Sequence, residues 1–300
     1  LDISENDAKL LNVALNKISG EWDDDKLATL LSELKFFDDV DELLTGFDEN
    51  ELDELLADLE EPKEGFTDPD SIPDEADPVC KPGELWQLGD HKLLCGDATD
   101  IGHVEILMDG DKADMVFTDP PYLMDFTGSV HGDGSKSYNS NYDKIKNDHL
   151  TEDQGEKFLD QIIKVILQYS LGAYYICFYR LGLHNLFKAL VDNKLKYKAL
   201  IIWNKGNHTL SNSDYMSKYE PIVYGWAKEH NFYGKKGSFD IWDIERTKKN
   251  DLHPTMKPVE LCASAIINSS VKDNIVLDPF LGSGSTLIAC EINNRICYGM

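Results

Sequence analysis

The residues best suited to chemistry lie where two apolar runs stop. Residues 115–122 read Met-Val-Phe-Thr-Asp-Pro-Pro-Tyr, so a carboxylate, two prolines and a phenol ring follow a short apolar stretch. Two prolines fix φ and remove two N–H donors, which turns the backbone away and frees its carbonyls to accept hydrogen bonds. The tetrapeptide alone allows two readings: a rigid acceptor site beside the Tyr122 ring, or a strand-terminal turn. Residues 275–290 read Ile-Val-Leu-Asp-Pro-Phe-Leu-Gly-Ser-Gly-Ser-Thr-Leu-Ile-Ala-Cys. A strand, a glycine-rich turn and a helix in succession bring backbone N–H groups and a helix N-terminus to an anionic or nucleoside ligand. No Gly-Lys-Ser/Thr ends this turn, and Leu287 stands where the third glycine of a dinucleotide fingerprint would be. Both the nucleotide triphosphatase and the nicotinamide oxidoreductase readings are therefore disfavoured.

Metal chemistry has little support. The six cysteines show no Cys-x-x-Cys spacing and mostly sit inside apolar runs, as small core residues do. His103-Val104-Glu105 has the opening of a zinc deaminase motif, but no Pro-Cys-x-x-Cys follows. His103 reads as a surface histidine, no metal site is expected, and the cysteine usage is that of a reduced, cytoplasmic protein.

These sites need elements to hold them. Seven strands are expected, at 92–95, 115–118, 173–179, 199–203, 221–226, 275–277 and 295–299, with helices at 157–169, 184–191, 258–267 and 286–293. Strands alternating with helices argue a mostly parallel sheet covered on both faces, whose ligands bind at the carboxyl ends of strands. Residues 1–60 carry three short amphipathic helix patterns, and 61–80 is a proline-rich acidic linker, which leaves 81–300 as the main domain. The longest apolar runs fall far short of the roughly 20 residues needed to span a bilayer. The first residues lack the basic flank and apolar core of a secretory signal.

The 300-residue chain carries a net charge of −26, but unevenly. Residues 1–80 hold 26 acidic against 5 basic residues, whereas 188–257 hold 13 basic against 8 acidic. Nucleic acid therefore stays open as a partner of the second region, since a Debye length of about 8 Å separates the two fields.

Three segments in order, Asp119-Pro120-Pro121-Tyr122, His253-Pro254-Thr255-Met256-Lys257-Pro258 and Asp278-Pro279-Phe280-Leu281-Gly282-Ser283-Gly284, resemble a family. They are similar to the motifs of S-adenosylmethionine-dependent DNA amino-methyltransferases of the permuted beta group, in which the catalytic motif precedes the cofactor motif. The resemblance covers 81–300 and implies an α/β fold: a Rossmann-like, seven-stranded methyltransferase sheet in circularly permuted motif order, here behind a small helical N-terminal segment. Residues 14–23 and 46–52 resemble the helical back half of a ParB-like domain fused to phage-type methylases.

The resemblance implies site-specific methylation of the adenine N6 amine in double-stranded DNA, as in restriction-modification systems. Aspartate at the head of the Pro-Pro-Tyr motif is the usual adenine form, whereas serine is the usual N4-cytosine form. N4-cytosine methylation and an inactive DNA-binding or partition-like adaptor remain alternatives. By the same resemblance, Asp119 and the Pro120 carbonyl take the two amine hydrogens, with Pro121 fixing the turn, while Tyr122 stacks on the extruded base. Phe280, Gly282 and Gly284 hold the methionine and ribose parts of the cofactor, with Asp278 at the base of the turn. Thr255 and Lys257 lie near the methionine carboxylate, Lys257 being alternatively a surface base. Asp97 contacts the cofactor adenine or caps a helix, and Tyr219-Glu220 flanks the target-base pocket. An acid clasping the ribose is expected beyond Met300. The recognition region, about 228–252, is short, so base contacts are also expected from 123–147, from 205–218, or from the second subunit of a homodimer.

Overall fold

The computed structural model describes residues 13–14, 68–71, 79–122, 150–206, 214–235, 237–246 and 256–300. Most of the helices and linker expected before residue 79 lie outside the described residues, as do the loop 123–149, segments 207–213 and 247–255, and with them His253 and Thr255. The chain divides into two compact units, Leu1–Pro62 and Lys63–Met300. The sheet belongs to the second.

The order of strands is β1-β2-β9-β8-β3-β4-β6-β5-β7. All seven expected strands are present: β2 (His91–Leu94), β3 (Met115–Thr118), β4 (Ala173–Cys177), β5 (Tyr197–Asn204), β6 (Tyr219–Trp226), β8 (Ile275–Asp278) and β9 (Ile296–Gly299). Strands β2, β9, β8, β3 and β4 run parallel, while β6 is antiparallel to both β4 and β5. Two further strands, β1 (Leu85–Leu88) and β7 (Ile241–Asp243), extend the edges. β1 folds back on β2 through a turn in which Gly89 takes φ 61°, and β7 runs parallel to β5. Neither had a legible pattern, because β1 is exposed throughout and β7 spans 3 residues.

Among the described residues, five helices cover the faces: α1 (Ile101–Met108), α2 (Glu152–Tyr169), α3 (Leu183–Asp192), α4 (Val259–Ser269) and α5 (Ser285–Ile292). Alternation along each strand sends neighbouring side chains to opposite layers. Val116, Tyr174, Ile176 and Leu277 pack under α1–α3, whereas Met115, Phe117, Tyr175 and Val276 pack under α4 and α5. Burial on both faces explains why these strands are continuous apolar runs. α2 begins five residues before the expected start because Thr151 and Gln154 form a capping box. Among the described residues, no helix is long and apolar enough to cross a membrane.

Candidate active site

Strands β3 and β8 are neighbours in register, Met115 opposite Val276 and Val116 opposite Leu277, so their two carboxyl-terminal turns emerge side by side. On the β8 side, Asp278 is buried and organises the turn: Oδ1 accepts from the Phe280 N–H at 3.0 Å and Oδ2 from the Thr286 hydroxyl at 2.6 Å. Gly282 at φ 55° and Gly284 at φ 86° take left-handed backbone that disfavours any other residue. A Cβ on Gly284 would meet nothing within 4 Å, so the turn presents open backbone where α5 begins. Met300 closes the other side of the turn, its N–H donating to the Asp278 carbonyl and its carbonyl accepting from the Leu281 N–H.

Burial pushes the Asp278 carboxyl up to about 6, against the hydrogen bonds that favour its charged form. Because the native pKa exceeds the ordinary aspartate value near 4, the native state binds the proton first, and this group's contribution to stability falls as pH rises through that window. Wild-type protein should therefore lose stability in urea between about pH 4 and pH 6, and Asp278→Asn should flatten that slope. An identical slope in the variant would show that Asp278 is not the cause.

On the β3 side, four charged groups and a phenol form one cluster. The Lys257 ammonium donates to Asp119 Oδ2 at 2.5 Å and to the Tyr122 hydroxyl at 3.0 Å, and lies 3.0 Å from Glu220 Oε1. The Tyr122 hydroxyl lies 2.8 Å from Asp119 Oδ1 and also contacts Glu220 Oε1; having one proton, it serves the two carboxylates in turn. Lys205 donates to Glu220 Oε2 at 2.5 Å. The Tyr122 ring packs edge-on to Phe178 at 5.7 Å and parallel to Tyr179 at 6.5 Å.

Burial works against the ionised forms here, and the cluster's own charges decide which survive. Burial raises the Asp119 carboxyl above the usual range, with Lys257 pulling it back. For Glu220 the two lysines outweigh burial and hold the pKa down to about 2. Lys257 is shifted upward, because Asp119 and Glu220 outweigh the desolvation of its ammonium. Burial, then the two carboxylates, raises the Tyr122 phenol far above its usual value, so it remains a donor. Asp119, Cys177 and Glu220 bring ligand-type atoms within 4.8 Å of one another, but the positive charge between the carboxylates is already the Lys257 ammonium.

The structure thus brings Asp119, Pro120, Pro121, Tyr122 and Lys257 to one strand end, and Asp278, Phe280, Gly282 and Gly284 to the next. Lys257 joins the two, since its carbonyl accepts from the Ser285 hydroxyl at 2.7 Å while its ammonium reaches Asp119. It is buried, not a surface base. Asp97 stands apart, past β2, in a groove of about 1290 Å³ shared with Cys95, Thr99, His103, Gln161 and Lys164. It does not cap α1; Asp100 does, accepting from the Gly102 N–H, while Asp97 accepts from the Thr99 N–H and hydroxyl. His103 is half-buried, its Nδ1 accepting from the Asp97 N–H at 3.0 Å. Sequence reasoning had not placed Lys205 in this cluster and had set Glu220 only at its flank. The available signal was a lone acid opening the otherwise apolar run 219–226, a buried charge that requires a partner.

A parallel-centred α/β sheet binds its ligands in the crevice outside the carboxyl ends of its strands, which is where the acceptor cluster and the glycine turn lie side by side. Residues 113–300 match the family model described as DNA methylase, and the chain belongs to this family of N6/N4 methyltransferases. Residues 25–82 match the model described as the ParB-methyltransferase HTH domain. Among curated relatives, the Type II methyltransferase M2.MboI of Moraxella bovis is 27% identical over 209 residues, 63% of this chain and 76% of that protein. The Type II methyltransferase M2.DpnII of Streptococcus pneumoniae is 28% identical over 219 residues, 64% of this chain and 79% of that protein. The crystal structure of the M1.HpyAVI–SAM complex overlays 68% of this chain and 89% of its own at 20% identity, with a TM-score of 0.48.

Proposed function

We propose that the chain methylates the N6 amine of adenine in double-stranded DNA, drawing the methyl group from S-adenosylmethionine. The observation that carries this reading is the position of the Asp119 carboxylate, one strand away from the open glycine turn. The residues suit the cofactor: Gly282 and Gly284 leave a backbone cradle, the apolar Phe280 ring beside it packs on Phe158, and Asp97 lines a separate groove with Thr99, His103 and Gln161. When bound, the cofactor supplies a sulfonium methyl as electrophile.

The protein's part is alignment. An exocyclic base amine is a poor nucleophile because its lone pair is delocalised into the ring. Asp119 and the Pro120 carbonyl, as acceptors, draw the amine hydrogens out of the base plane and direct the lone pair toward the neighbouring turn. Tyr122, held by Phe178 and Tyr179, offers the extruded base a stacking face. The reading is tested by transfer of tritium from methyl-labelled S-adenosylmethionine to duplex DNA; no transfer to any duplex would overturn it. In that assay, Tyr122→Ala should weaken capture of the target base by about 1–3 kcal/mol, the stacking contribution seen in single-strand binders. The loss should appear in the DNA concentration dependence, and an unaltered dependence would contradict the stacking role.

A further inference from the structure

The motif resemblance left Lys257 beside the cofactor, and the methyl-transfer reading gives its ammonium no work. Yet the side chain is buried and its head lies at the carboxylate that the methyl-transfer reading assigns to the target amine, 2.5 Å from Asp119 Oδ2. An ammonium has three donors and no acceptor. Here they face Asp119 Oδ2, Glu220 Oε1 at 3.0 Å and the Tyr122 hydroxyl at 3.0 Å. The two carboxylate contacts balance charge. The third is dispensable, because the Tyr122 oxygen keeps a partner by donating its own proton to either carboxylate. An aspartate oxygen can accept from both an ammonium and an amine, so Lys257 need not leave Asp119 when a base enters.

We propose that Lys257 reads the target base: its ammonium keeps its bond to Asp119, releases the Tyr122 hydroxyl, and donates to the ring nitrogen next to the amine that Asp119 holds. This rests on the methyl-transfer reading and specifies the substrate edge it accepts. Asp119 and Lys257 together then form an acceptor–donor pair, complementary to adenine N6–H with N1, and to cytosine N4–H with N3. Guanine N1 and thymine N3 carry hydrogens and would meet the ammonium donor to donor. Glu220, itself held by Lys205 at 2.5 Å, is the positioning residue that keeps the ammonium in this place. The same donor would occupy the lone pair of the ring nitrogen, which otherwise competes with the amine for the methyl group.

The test is a substrate–mutant cycle measured by single-turnover transfer. Duplexes carry, at the methylated position, either adenine or 1-deazaadenine, whose ring has C–H in place of N1. Wild-type protein should methylate the deaza duplex roughly 10- to 100-fold more slowly, the range for one hydrogen bond to a charged group. Lys257→Met should lose a similar factor on adenine and treat the two duplexes alike within about threefold, with cofactor affinity kept. Equal wild-type rates on the two duplexes would overturn the proposal, a comparison that needs no variant to fold. So would a Lys257→Met chain that still discriminates, or one that has chiefly lost the cofactor, which would return Lys257 to the cofactor pocket. Failure of the methyl-transfer reading is told apart by the absence of wild-type transfer to the adenine duplex itself.

Discussion

Replacing Asp119 by alanine is expected to slow single-turnover methyl transfer by about 100-fold to 1000-fold, the cost of removing one preorganised group aimed at a reacting centre. Cofactor affinity should change little. The glycine turn is built on β8 by Asp278, Thr286 and Phe280, none of which bonds to Asp119. The expected signature is therefore a lower rate at saturating DNA and cofactor, with the calorimetric cofactor isotherm preserved. Wild-type rates in Asp119→Ala would contradict the alignment role. A comparable loss of cofactor binding would show that the two strand ends are not separable.

The second large effect concerns folding. Glu220 is the shared counter-ion of two lysines, 2.5 Å from Lys205 and 3.0 Å from Lys257, and its side chain is 10% exposed. Glu220→Gln keeps the volume and an acceptor but removes the charge. Breaking a buried ion pair from one side costs about 3–5 kcal/mol, because the partner charge stays buried without compensation. Taking the lower figure, Tm should fall by roughly 6–12 °C in a domain of this size. Adding Lys205→Met should return part of the loss, since it removes one of the two stranded charges. A Tm unchanged in the single variant would mean that water takes over the role of Glu220, and that the cluster is not held together by charge.

How far the sequence could be read follows from where each residue's environment is decided. β3, β4 and β8 were legible because burial on both faces writes an uninterrupted apolar run, and their ends carried Asp119 and Asp278 in plain view. β6 was legible as a strand but not in direction: only pairing with β4 and β5 makes it antiparallel within a mostly parallel sheet. Lys257 could be picked out by its motif, but where its ammonium goes depends on Asp119 and Glu220, 138 and 37 positions away, a tertiary fact that no spacing records. Asp97 illustrates the opposite case. A cap was locally plausible, yet Asp100, three residues on, takes that role and leaves Asp97 facing the groove.

The measurement that bears most directly on the central claim is mass spectrometry of nucleosides from duplex DNA incubated with S-adenosylmethionine and either wild-type chain or Asp119→Ala. The expected result is N6-methyladenine with the wild type and its near-complete loss with the variant over the same time. N4-methylcytosine as the product, or no methylated nucleoside at all, would contradict the account.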